Sequence, residues 1–128
     1  MDSSALVTWM SRRNYWAALD TFLGDRGSLP MATSSLGFVE TTRTLDLMGT
    51  FPDAMVDLEH GVGEILLTPE VRRGAAALTG RLRTLDAVHV ASALSLGENL
   101  TALVTYDKRM LETALAAGLP AHAPGMTA

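Results

Sequence analysis

Apolar positions along the chain follow two alternating patterns. Short continuous apolar runs are typical of buried strands, and longer runs with an apolar residue at every third or fourth position are typical of helices packed on a sheet. The clearest helix start is at Thr68, where a capping residue is followed by Pro69 at the first helical position and Glu70 in the first turn. The pattern predicts strands at 31–35, 63–68, 101–106 and 119–124, and helices at 11–24, at 36–48, from Pro52, from Pro69, at 84–96 and at 107–118.

Strands that alternate with helices of about 10–15 residues are typical of α/β domains with a mostly parallel sheet. The chain has 128 residues with no internal repeat and no linker long enough to divide it. This predicts a single domain, 1–128, in which helices flank a mostly parallel central sheet. Ligands of such sheets bind outside the carboxyl ends of the strands. Polar residues at strand ends and helix starts are therefore the first candidates for a site.

Composition excludes several classes of site. The chain contains no cysteine, so disulfides, thiolate zinc sites and cysteine nucleophiles are excluded. No apolar run approaches the roughly 20 residues of a membrane span and the N-terminus lacks a signal-peptide pattern, so we expect a soluble, cytoplasmic protein without membrane contact. The net charge of −4 argues against broad non-specific binding to nucleic acid, but not against a local basic rim.

Acidic residues lie in or next to apolar context at four places. Asp107 follows the apolar run of a predicted strand, Asp86 lies in the first turn of a predicted helix, and Asp2 lies at the chain start. Each of these three has an ordinary explanation as well. Asp107 could be a helix cap, Asp86 could serve helix-end electrostatics, and Asp2 could be a solvated terminal acid.

Glu40 is the fourth acid, and it interrupts an apolar stripe. Leu36, Glu40, Arg43 and Leu47 are spaced at i, i+4, i+7 and i+11, which predicts that the carboxylate lies on the apolar face of its helix. The alternative is a surface ion pair between Glu40 and Arg43, worth about 0.2–0.5 kcal/mol.

Clustered carboxylates repel each other unless a cation lies among them. If the four acids converge at one edge of the sheet, a hard divalent cation such as Mg²⁺ would relieve this repulsion, because it prefers oxygen ligands. Such a site suits phosphodiester hydrolysis, since the metal polarises the phosphoryl oxygen and lowers the pKa of a bound water. His89 is interpreted as a packed residue rather than a metal ligand, because the chain has three histidines and no second ligand-spaced partner for it.

Five stretches of the sequence resemble the successive motifs of PIN-domain proteins, and most closely those of the VapC ribonuclease toxins of bacterial toxin–antitoxin pairs. They are DSSALV at Asp2, SSLGFVETTRTL around Glu40, TLDAVHVASAL around Asp86, LVTYDKRM around Asp107, and GLPAHAPG near the end. The resemblance implies a PIN-like three-layer sandwich, an endoribonuclease that depends on Mg²⁺ or Mn²⁺, and a catalytic metal site made by these four acids. Asp2 and Asp86 are then expected closest to the first metal, with Glu40 and Asp107 acting through water or orienting the attacking water.

The resemblance also implies partners. Toxins of this type cut structured RNA, commonly tRNA or rRNA, are held inactive by a cognate VapB antitoxin, and are usually homodimers. Cations close in sequence to the acids are the candidates for contacts with RNA phosphates: Arg43, Lys108 and Arg109. Arg81 and Arg83 could serve equally well, and ordinary solvated charges are the alternative for all of them.

The chain departs from the family pattern at its start. Family members usually have several apolar residues before the first aspartate, forming the central strand, whereas only Met1 precedes Asp2 here. Either SALV serves as a short strand or the first strand is truncated, and we expect the natural product to carry a few more residues upstream.

Two rival functions follow from the sequence. One is a catalytically impaired PIN domain that acts as an RNA- or antitoxin-binding module, and the presence of all four mutually repelling acids argues against it. The other is an α/β signalling domain with a phosphoacceptor aspartate. Such a domain needs a lysine at a strand end, whereas Lys108, the one lysine of the chain, opens a predicted helix.

Overall fold

The structure, a computed structural model, describes residues 1–27, 29–49, 52–80 and 82–126. Within these residues the helices are α1 (Ser3–Ser11), α2 (Trp16–Gly24), α3 (Ser35–Met48), α4 (Ala54–Gly61), α5 (Pro69–Ala77), α6 (Thr84–Ser95) and α7 (Lys108–Ala116), with a 3₁₀ turn at Gly97–Asn99. The strands are β1 (Met31–Ser34), β2 (Val62–Ile65), β3 (Leu103–Val104) and β4 (Ala121–His122).

The strands form two parallel pairs. β1 pairs with β2, and β3 pairs with β4, each in parallel register. The predicted fold class, α/β with parallel strands flanked by helices, is confirmed. The strands are shorter than predicted, and in the described residues they make two two-stranded sheets instead of one continuous sheet.

Strand β3 lies between two layers of helices. Successive side chains of a strand point to opposite faces. Val104 packs with Ala5 of α1 and Leu19 of α2, whereas Leu103 packs with Ala93 of α6 and with residues of α7 and β4. The apolar pattern of this short run is therefore explained by burial on both faces, which is typical of parallel sheets.

The first two residues connect the two strand pairs. The Met1 ammonium donates a hydrogen bond to the Ala32 carbonyl of β1 (2.8 Å), and the Asp2 backbone N–H donates to the Val104 carbonyl of β3 (3.2 Å). The SALV segment lies in helix α1, so the idea that it forms a strand is wrong. Beside these bridging residues lies a cavity of about 470 Å³. The expectation that the natural product carries a few more residues upstream of Met1 stays a prediction.

Helix α3 differs from its predicted orientation. Its buried face consists of Gly37, Phe38, Thr41 and Leu45, while Leu47 is 90% exposed. The prediction that the buried face of α3 runs through Leu36, Glu40, Arg43 and Leu47 is therefore wrong. Several apolar side chains of this helix point to solvent, so the helical period alone does not identify which face is buried.

The start of α3 packs directly on β1. A Cβ atom added at Gly37 would lie 2.0 Å from the Thr33 Oγ1 atom and 3.0 Å from the Thr33 Cβ. Only glycine allows this approach between helix and strand. The close approach fixes the start of α3 over the end of β1, and Ser34 at that junction caps the helix by accepting a hydrogen bond from Gly37 N–H (3.1 Å).

The remaining boundaries match the sequence patterns to different extents. The helix predicted from residue 11 begins at Trp16, because Arg12 adopts a left-handed conformation that ends α1. The Thr68 cap is confirmed, since its hydroxyl accepts the Val71 N–H (3.2 Å). In the described part of the chain no helix combines the length and the apolar character needed to cross a bilayer.

Candidate active site

Asp2 is a buried acid at the start of α1, and both of its oxygens accept hydrogen bonds. Oδ1 accepts from the Ser4 hydroxyl (2.7 Å) and the Ala5 N–H (3.1 Å), and Oδ2 accepts from the Thr105 hydroxyl (2.8 Å). Burial raises the pKa of the Asp2 carboxyl above its usual value, although these hydrogen bonds and the Met1 ammonium act in the opposite direction. Burial also lowers the pKa of that ammonium, and the Asp2 charge opposes this shift. Asp2 is therefore a helix cap held in a desolvated position, not a solvated terminal acid.

Thr105 connects Asp2 to Asp107. The Thr105 hydroxyl donates to Asp2 and accepts the Asp107 N–H (3.0 Å). Asp107 caps α7, because its Oδ1 accepts the Met110 N–H (3.0 Å). The ordinary explanation of Asp107 as a helix cap is thus confirmed for one oxygen, while its Oδ2 faces a cation across the site.

That cation is Arg83, which bridges two of the four acids. Its Nε lies 3.2 Å from Asp86 Oδ2, and one of its terminal nitrogens lies 3.6 Å from Asp107 Oδ2. The Asp86 side chain is 8% exposed, whereas that of Arg83 is 70% exposed, so the guanidinium covers a buried carboxylate from the solvent side. The hydrogen bond and charge of Asp86, and then the charge of Asp107, raise the pKa of Arg83 above its usual value.

Glu40 is held by a chain of hydrogen bonds from β1 through α6. Its Oε1 lies 2.5 Å from His89 Nε2, and His89 Nδ1 lies 2.8 Å from the Ser34 hydroxyl. A carboxylate only accepts hydrogen bonds, so Nε2 must donate to it, and in neutral imidazole Nδ1 then accepts from Ser34. The predicted packed role of His89 fits this geometry, and Glu40 pairs with His89 instead of with Arg43.

These links bring the four predicted acids to one region through three connections. Asp2 and Asp107 share Thr105, Asp107 and Asp86 share Arg83, and Glu40 contacts His89, one turn beyond Asp86 on α6. Among the described residues, however, no three acid or histidine side chains are gathered closely enough to surround one ion. Carboxylate oxygens are the ligands that Mg²⁺ and Mn²⁺ prefer, and Asp86 and Asp107 are the two acids that already face one shared cation, so these two are the residues that could hold a divalent ion.

The predicted RNA-contacting cations lie on exposed surface near this region. Lys108 and Arg109 form the exposed first turn of α7, directly after Asp107, and Arg43 is exposed on α3. Arg81 lies outside the described residues. The sequence reasoning did not single out Thr105, although a hydroxyl two positions before the acid that ends a strand was a usable signal. It also named Arg83 as a possible RNA contact but did not predict its ion pairs with Asp86 and Asp107.

The comparisons with known proteins identify the family. The profile of the PIN domain family matches residues 1–115. Ribonuclease VapC35 of Mycobacterium tuberculosis is 35% identical over 133 aligned residues, covering 98% of this chain and 96% of the relative. Ribonuclease VapC47 of the same organism is 34% identical over 98% of this chain and 96% of the relative, and Ribonuclease VapC46 is 34% identical over 97% and 95%.

No solved structure matches the chain. The family profile covers most of the chain and the relatives are similar to it over almost their full lengths. The chain therefore belongs to the PIN-domain family, and within that family to the VapC ribonucleases.

Proposed function

We propose that this protein is a metal-dependent endoribonuclease toxin that hydrolyses phosphodiester bonds in structured RNA, tRNA or rRNA. The single observation that supports it best is the pairing of Asp86 and Asp107 through one cation, since this is the charge arrangement that a divalent ion would stabilise. The similarity to proteins named Ribonuclease VapC supplies the substrate class.

In this proposal Asp86 and Asp107 hold the cation, because their Oδ2 atoms already face a shared positive charge. When bound, Mg²⁺ or Mn²⁺ would polarise the scissile phosphate and favour ionisation of the attacking water. Asp2 fixes Thr105 and thereby Asp107. Glu40, with Oε1 held by His89, presents its other oxygen to accept the proton of the attacking water.

Phosphate contacts are assigned to the exposed cations beside the acids. Lys108 and Arg109 follow Asp107 on α7, and Arg43 lies one turn from Glu40 on α3. Because the net charge of the chain is −4, a basic rim limited to the site would guide RNA to the carboxylates without broad non-specific binding.

A cognate VapB-type antitoxin and a second copy of the chain are the proposed protein partners, in the cytoplasm. Exposed apolar side chains support association with another protein. Leu47 on α3, Val56 on α4 and Leu66 after β2 are 90%, 52% and 61% exposed.

The first test is metal-dependent cleavage. Antitoxin-free protein is incubated with bulk tRNA and rRNA in Mg²⁺ or Mn²⁺ and, separately, in EDTA. We expect discrete cleavage products with either metal and none with EDTA, because the cation is what polarises the scissile phosphate and favours ionisation of the attacking water. Cleavage that persists in EDTA contradicts the metal requirement. A folded protein that cleaves no RNA under any of these conditions would favour the catalytically impaired module.

The His89–Glu40 contact gives a second prediction. His89→Ala is expected to lower kcat by about 10- to 100-fold, the usual cost of losing a residue that orients a group in a metal site. His89→Gln should restore much of the rate, since its amide N–H can replace the Nε2 donor. Ser92→Ala is the matched control, because Ser92 is buried on the same helix and bonds only to the Val88 carbonyl (2.7 Å). Equal kcat in the Ala and Gln variants would contradict the positioning role.

A further inference from the structure

Arg83 is distinguished by its partners. Among the residues that the structure describes, it is the only lysine or arginine whose side chain forms an ion pair with a carboxylate, and it forms two, with Asp86 and with Asp107. Both of these acids belong to the proposed metal site. The guanidinium therefore occupies the space between the carboxylates that a divalent cation would bind.

A guanidinium and a divalent cation cannot share these two oxygens. Arg83 reaches Asp86 Oδ2 at 3.2 Å and Asp107 Oδ2 at 3.6 Å, distances that leave no room for an ion bound to both. Like charges at such separations repel strongly. Binding of the metal must therefore displace the guanidinium from at least one of the two acids.

The position of Arg83 allows this displacement. Its backbone lies at the N-cap of α6, where its side chain makes no capping hydrogen bond, and the side chain is 70% exposed. Because the guanidinium is already solvated and the cation would take over the pairing with the buried Asp86 carboxylate, the exchange leaves no buried charge unpaired. The displaced guanidinium stays anchored three residues before Asp86, on the solvent side of the two carboxylates. It therefore lies beside the carboxylates that an RNA phosphate would approach.

We propose that Arg83 has two alternative partners: the Asp86 and Asp107 carboxylates in the metal-free protein, and a non-bridging oxygen of the RNA phosphate once a divalent cation has displaced it. The inference rests on the proposed function. Guanidinium groups match phosphate oxygens with two parallel N–H donors, which an ammonium does not. Arg83 is thus both a competitor of the metal and a residue that contacts substrate.

The two roles predict opposite changes in one variant. Arg83→Gln removes the charge and the terminal nitrogens of the guanidinium while keeping a polar side chain. We expect its Kd for Mn²⁺, measured by titration calorimetry without RNA, to be roughly two- to five-fold lower than that of the wild type, because no ion pair has to be broken. We expect its kcat/KM for RNA cleavage at saturating Mn²⁺ to fall by about 10-fold or more, because a donor to the charged phosphate is lost.

Three controls make the outcomes distinct. Arg73→Gln, an exposed arginine on α5, should change neither quantity. Arg83→Lys keeps the charge but not the paired donors, so its Kd for Mn²⁺ should stay close to the wild-type value while its kcat/KM falls. Asp86→Asn should lose Mn²⁺ binding.

Weaker or unchanged Mn²⁺ binding by Arg83→Gln overturns the competition, and unchanged kcat/KM overturns the phosphate contact, in both cases with the nuclease intact. If the wild-type protein neither binds Mn²⁺ nor cleaves RNA, the proposed function fails, and the inference about Arg83 fails with it.

Discussion

Asp86→Asn is expected to abolish RNA cleavage, lowering the rate by about 100- to 1,000-fold, while the fold is retained. The substitution removes a negative charge from one of the two carboxylates that share a cation, and loss of several kcal/mol of metal-dependent stabilisation corresponds to a rate loss of this size. The side chain keeps its shape, and its buried position at the start of α6 tolerates a neutral amide. Cleavage of bulk tRNA and rRNA at saturating Mn²⁺ measures the effect.

Asp57→Asn provides the matched control for this variant. Asp57 is likewise an acid in the first turn of a helix, α4, but it is exposed. Both substitutions remove a favourable interaction with a helix N-terminus, worth about 0.3–1 kcal/mol. A similar loss of stability in the two variants, with loss of cleavage in Asp86→Asn alone, would separate catalysis from helix electrostatics. Wild-type cleavage by Asp86→Asn would contradict its place in the metal site.

Asp2→Asn is expected to abolish cleavage as well, and to remove one source of pH dependence from the stability of the metal-free protein. Burial raises the pKa of Asp2 in the folded state above its value in the unfolded chain, so the folded state binds the proton more tightly. The contribution of Asp2 to the unfolding free energy is therefore most favourable below the unfolded pKa, and it decreases as pH rises through the folded pKa. An asparagine at this position does not titrate, so in Asp2→Asn this contribution no longer changes with pH.

Thermal unfolding of the metal-free protein measures this effect. We expect the wild-type midpoint to rise relative to that of Asp2→Asn as the pH is lowered from 7, by about 2–8 °C for each roughly 1 kcal/mol gained. The comparison is made across pH because an amide has one acceptor oxygen, whereas donors from Ser4, Ala5 and Thr105 occupy both oxygens of Asp2. Asp2→Ala should lower the midpoint at every pH, because it removes the α1 cap and leaves the Ser4 and Thr105 hydroxyls without their acceptor. A midpoint difference between the wild type and Asp2→Asn that does not change with pH, or unchanged cleavage, would contradict the interpretation.

Local signals predicted the elements well where a single residue type decides the structure. Thr68 caps α5 and Asp107 caps α7, as capping residues before helical runs predict. The order of strands and helices from α2 onward was also predictable, because continuous apolar runs are typical of strands buried on both faces; helix α1 was not predicted. The lengths of the strands were not predictable, since hydrogen-bond pairing between distant segments decides how many residues of an apolar run join a sheet.

The candidate site was predictable in its acids but not in its connections. The positions of Asp86 and Asp107 at a helix start and a strand end marked them as candidates. The link of Asp2 to Thr105 and the bridge made by Arg83 depend on which distant elements meet in space. The Arg83 side chain is 70% exposed, so no hydrophobic pattern in the sequence indicates its contacts. The wrong core face assigned to α3 has the same origin, because the exposed Leu47 satisfies the helical period as well as a buried leucine would.

The contact between Asp2 and Thr105 spans 103 positions of the chain, so during protein synthesis it cannot form until Thr105 has been added. On the ribosome, the Asp2 carboxylate has no Thr105 partner until translation has passed that residue. Domains dominated by such distant pairings fold late and slowly, because the entropy of closing a long loop is lost before the contact forms. A polypeptide whose translation stops before Thr105 lacks both Thr105 and Asp107, so it cannot form the hydrogen bonds that connect Asp2 to Asp107.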